Sequence, residues 1–108
     1  MSSSREKSLQ SIEQEIAAEK AGSLFRVTSK MEAALEALRA MDREIAGAPS
    51  LQKKAQRDLL FAEAAEYVWY FVVQREALGL LTPDAVFESY GIPAEVRRNM
   101  GPRPRRGA

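Results

Sequence analysis

The chain is expected to be all-α: an antiparallel hairpin of two long helices followed by two short C-terminal helices. Three observations carry that expectation. Ala, Glu, Leu, Arg and Gln, which lose little freedom in a helix, dominate the 108 residues, while Val, Ile and Thr are scattered without strand alternation. Apolar side chains recur at helical spacing from Leu9 to Ile45. Glycine, proline and serine cluster at only a few places, each suited to a helix end.

The first helix starts among Ser2, Ser3, Ser4 and Ser8, all candidate N-caps, and runs to about Ile45. Leu9, Ile12, Ile16, Leu24, Val27, Met31, Leu35, Leu38 and Ile45 form one stripe about 140° wide, suited to a helix that packs on one side. Gly22 and Ser23 are its weak point, since a mid-helix glycine costs about 1 kcal/mol relative to alanine. Gly47, Ala48, Pro49 and Ser50 end it and turn the chain. A second helix follows from about Leu51 to Leu78, with Gly79 as its stop. Thr82, Pro83 and Asp84 then read as N-cap, first helical proline and first-turn acid of a third helix ending near Tyr90. Pro93 opens the fourth, which Gly101 stops, and the two short helices are expected to cover the end of a bundle. Residues 1–101 thus make one helical domain, and 102–108 a basic tail expected to be disordered.

Residues Leu59 to Val73 hold the only tryptophan, two of the three tyrosines and two of the four phenylalanines. Apolar side chains cover roughly 240° of that helix, against the 100° or so of an ordinary surface helix. Only one other long helix is available to cover them. The simplest completion is a second copy, giving a four-helix bundle whose dimer core contains Leu60, Phe61, Val68, Trp69, Val72 and Val73. A groove for a partner helix or an apolar ligand is the alternative use of the same stripe.

Composition excludes several function classes. The absence of cysteine rules out disulfides and thiol chemistry and fits a reducing, cytoplasmic setting. The opening residues carry no signal-peptide pattern, and no apolar run approaches the roughly 20 residues of a membrane span. Arg103, Arg105 and Arg106 account for three of the 16 basic side chains against 15 acidic ones, so residues 1–101 carry −2. That body offers no strong field for nucleic acid or anionic membrane.

Glu63 and Glu66 suggest a carboxylate site between helices, yet the chain has no histidine to complete a di-iron framework and no calcium loop. They read better as a solvated or ion-paired face. Arg75 and Glu76 fall on the apolar side of the second helix near its end, as a candidate interface ion pair or, more simply, as side chains reaching water. Residues 82–106 invite a degenerate helix-turn-helix reading in which Arg97, Arg98, Arg103, Arg105 and Arg106 contact nucleic acid weakly. Against it stand a two-turn second helix, bulky Phe87 at the crossing, and Arg97 where an aliphatic belongs. Without histidine, cysteine or a nucleophile motif no catalytic residue is assigned, and no metal, cofactor or small-molecule substrate is implied.

The run EAAEYVWYFVVQREALGL, followed by ESYGIPAEVRRNMG, resembles a family of small uncharacterised bacterial proteins. Glu63, Trp69, Gln74, Arg75, Glu76, Gly79, Tyr90, Gly91, Pro93, Val96 and Gly101 carry the resemblance, mainly over residues 59–101. It implies a helical bacterial protein and brings no activity with it. The expected role is therefore a non-enzymatic, cytoplasmic interaction or scaffolding protein acting as a homodimer, with another protein as its ligand. A small DNA-binding regulator using residues 82–106 is the alternative.

Overall fold

The computed structural model describes residues 3–102. Among them are four helices and no strand: α1 (Ser3–Gly47), α2 (Leu51–Ala77), α3 (Asp84–Ser89) and α4 (Ala94–Arg98). α1 passes through Gly22 and Ser23 unbroken. The glycine's cost is small beside the propensity of its neighbours, and α1 extends well beyond it in both directions. The turn behaves as its residues dictate: the Ser50 hydroxyl accepts the Lys53 amide at 3.1 Å, and Lys53 Nζ donates to the Ala48 carbonyl at 2.7 Å.

Two starts differ by one position from expectation. Pro83 and Pro93 have extended backbone and sit at the N-cap rather than inside the first turn. Thr82 does not cap α3; its hydroxyl accepts a hydrogen bond from Arg75 instead. α2 ends at Ala77, and Gly79 takes the left-handed φ of +76° that turns the chain away.

The core lies where α1 and α2 cross. Met31, Ala34, Leu35 and Leu38 of α1 meet Ala64, Ala65, Val68 and Phe71 of α2, and Phe87, Ile92 and Val96 from the C-terminal segment close the cluster. Ala34 and Ala64 leave room for close approach of the two helices, with the larger side chains interdigitating around them. The C-terminal helices do not cover the end of a bundle but lie along the flank of the hairpin. Arg39 of α1 donates to the Gly91 carbonyl at 3.1 Å, Arg57 of α2 faces Glu95, and the Gly101 amide reaches the Ala65 carbonyl at 3.4 Å. The Tyr90 ring meets Phe71 edge-on, with centroids 5.0 Å apart. Gly91 suits the turn there because its φ is +63°, a conformation that residues with a Cβ rarely adopt.

This placement corrects part of the expected dimer core. Val68 is fully enclosed within one chain, and Leu60, Phe61 and Val72 pack against the same buried cluster. Val68 needs no second copy to enclose it, because residues 84–100 double back over part of the apolar arc, while Leu60, Phe61 and Val72 stay partly exposed. Trp69 and Val73 lie outside the cluster.

The molecule is long, 72 × 35 × 19 Å, with a radius of gyration of 18.8 Å against about 13 Å for a compact chain of this size. α1 has 45 residues and α2 has 27, and they run antiparallel from the turn. Ala77 and Leu78 draw level with Ile16 and Lys20. The first turns of α1 therefore project alone, by about 20 Å at 1.5 Å per residue.

Phe71→Ala should cost about 3–5 kcal/mol, as for large aromatic truncations in a core. Trp69→Ala should cost clearly less in the single chain, and denaturant titration of both variants tests the ranking. Gly22→Ala should raise stability by up to about 1 kcal/mol, because the added methyl meets only the end of the Arg26 side chain at 3.4 Å. A loss of stability there would argue for a break in α1 at that point.

Candidate interaction surface

Two apolar surfaces remain partly exposed on the described chain. The first is on projecting α1, where Leu9, Ile12 and Ile16 are 56%, 52% and 48% exposed. They continue the stripe that farther along buries Met31, Leu35 and Leu38 against α2. Arg5, Glu6 and Lys7 flank the beginning of this segment, and Glu13, Glu15, Glu19 and Lys20 its end.

The second surface is the outer side of α2. Leu59, Ala62, Glu66, Trp69 and Val73 recur at alternating three- and four-residue spacing, the period of a coiled-coil seam. Leu59 and Val73 are exposed and Trp69 is half-buried. Trp69 leans on the Tyr70 ring at 5.1 Å, and Tyr70 approaches Tyr67 at 6.2 Å. The spacing was present in the sequence, but with apolar residues over most of the circumference between Leu59 and Val73 it could not be separated from the inward stripe.

The polar candidates have ordinary structural occupations. Arg75 closes the loop after α2: its guanidinium donates to the Leu81 carbonyl at 2.6 Å and to the Thr82 hydroxyl at 3.2 Å, and lies 5.8 Å from the Phe71 ring centre. No ion pair joins Arg75 to the exposed Glu76 within the described chain. Arg97 pairs with Asp84 at 2.8 Å and lies 3.8 Å over the Phe87 ring, tying α4 to α3. Arg98 is exposed. Arg103, Arg105 and Arg106, and with them most of the expected tail, lie outside the described residues.

Glu63 and Tyr67 line a shallow open groove with Lys30, Ala33, Ala34 and Ala37. Among the described residues no cluster of His, Cys, Asp or Glu is arranged to hold a metal, and no polar or charged residue is buried. Electrostatic perturbation is confined to surface ion pairs. Glu36 is held below the usual carboxylate range by its hydrogen bond with Arg43, and Arg57 is raised by its hydrogen bond with Asp42. Neither belongs to a cavity where acid–base chemistry would be housed.

Arg75→Lys keeps the charge but loses the fork that bridges Leu81 and Thr82. Amide exchange at Gly79 and Leu80, whose N–H groups bond to the carbonyls of Glu76 and Arg75, should accelerate while exchange in the α1–α2 core is unchanged.

No helix among the described residues is long and apolar enough to cross a membrane. No curated protein and no solved structure matches the chain. A family model does, over residues 4–107, which takes in the projecting part of α1, the hairpin and the C-terminal helices together. With nearly its whole length matched, the chain belongs to the family of unknown function DUF6665.

Proposed function

We propose that this protein works without catalysis, in the cytoplasm, as a homodimeric interaction or scaffolding module. One observation carries the proposal: α1 runs on past the end of α2 with its core-facing stripe uncovered at Leu9, Ile12 and Ile16. Three large aliphatics at helical spacing on a lone, solvated helix form a surface built for another helix. The outer seam of α2, with Leu59, Trp69 and Val73, provides a second face on which a partner protein can dock once two copies are joined. The lack of cysteine is consistent with a reducing compartment.

The DNA-binding alternative draws less support. Arg97 is occupied by Asp84 and Phe87, and α4 has 5 residues, short for a helix that must reach into a major groove. Binding to generic duplex DNA that weakens steeply with salt and disappears in Arg98→Ala would revive it.

Light scattering across a dilution series tests the main reading. The mass should approach twice 12.0 kDa at high concentration. A mass of 12.0 kDa throughout would overturn self-association.

A further inference from the structure

We infer that residues 3–20 of α1 are the self-association element, docking antiparallel against the same segment of a second copy across Leu9, Ile12 and Ile16. This rests on the homodimer reading above and names the surface that would make the dimer.

The first argument is continuity. The apolar face of α1 receives an antiparallel helix, α2, as far as Ala77 and Leu78, which stand beside Ile16 and Lys20. Beyond that point the same face continues with room for one more antiparallel helix in line with α2. A copy related by a two-fold axis across α1 supplies one, its own projecting segment, and the contact is closed because each segment covers the other. Ile12 of one copy then lies near Leu9 of the other, close to the axis. The N-terminal end of each segment abuts the end of the other copy's α2, where Leu80 and Leu81 are also exposed.

The second argument is charge. Arg5, Glu6 and Lys7 give the beginning of the segment a net positive charge, while Glu13, Glu15, Glu19 and Lys20 make its end negative. Antiparallel pairing sets the positive end of each copy against the negative end of the other, whereas parallel pairing stacks like on like. The same charges speak against a membrane surface as the occupant. The segment carries four acidic and three basic side chains, where a helix lying on anionic lipid needs a basic polar face.

The third consideration is size. Three aliphatics per copy and a short stretch of two-helix contact place the interface toward the small end of specific associations, so dissociation on dilution into the micromolar range is expected.

Light scattering of the full chain and of variants at matched concentrations tests this, with circular dichroism to verify helicity. Position 12 lies outside the buried core, so Ile12→Lys should fold and remain at 12.0 kDa where the native chain reads twice that. Val73→Lys, on the outer seam of α2, should still dimerise. Glu13→Lys with Glu15→Lys should weaken association at least tenfold, and adding Arg5→Glu and Lys7→Glu should restore most of it. A native dimer that survives Ile12→Lys would overturn this surface and leave the homodimer reading standing. A native chain that is monomeric at every concentration would overturn both. Failure of the four-residue swap to restore association would overturn the antiparallel arrangement.

Discussion

The packing of α1 on α2, with Ala34 and Ala64 buried between them, is the constraint on which the rest of the molecule depends. Met31, Leu35, Val68 and Phe71 are enclosed almost completely in that core. Enlarging either alanine would push the helices apart and open contacts along the whole seam. The ion pairs around this core, such as Glu36 with Arg43 and Arg57 with Asp42, are largely exposed and contribute little by comparison. Glu36, with its lowered pKa, adds what it does above the ordinary glutamate range and loses it as pH falls through the lowered value.

That crossing also governs the C-terminal segment. Phe71 faces both α1 and Tyr90, and Ala65 is small enough for Gly101 to approach its carbonyl. Two short helices, too short to be stable alone, are thus held on the flank by Phe87, Ile92 and Val96 and by a few specific bonds. Arg75 and Arg97, which in isolation look like ligands for something external, are absorbed in fastening this segment.

A consequence of the mismatch between 45 and 27 residues is that the hairpin satisfies only part of α1. A helix standing alone in water is marginal, and three exposed aliphatics on it have no stabilising role in a monomer. The single chain encloses its core between α1 and α2 and leaves Leu9, Ile12 and Ile16 about half exposed at the far end of α1.

Much of this was legible in local sequence. The Gly47–Ser50 turn, the serine cap of α2, the left-handed Gly79 and the stop at Gly91 follow from backbone preferences that a few neighbouring residues set, whereas α4 ends at Arg98, before the expected stop at Gly101. The apolar stripe of α1 was equally plain, because its opposite face is charged. What local sequence could not divide was the arc of α2: with apolar residues over most of the circumference, periodicity does not tell which belong to α1, which to α3 and α4, and which to the outside. Val68 and Trp69 are adjacent and both large, yet one is enclosed and the other is not. The sequence by itself determined the helical hairpin, its turn and the approximate extent of the two short helices; the tertiary structure alone decided that residues 84–100 return along the flank and leave α1 about half exposed at Leu9, Ile12 and Ile16. The reason is physical: helix ends are fixed by interactions within a few residues, whereas the covering of a face depends on contacts between segments such as Arg39 and Gly91, which lie 52 positions apart.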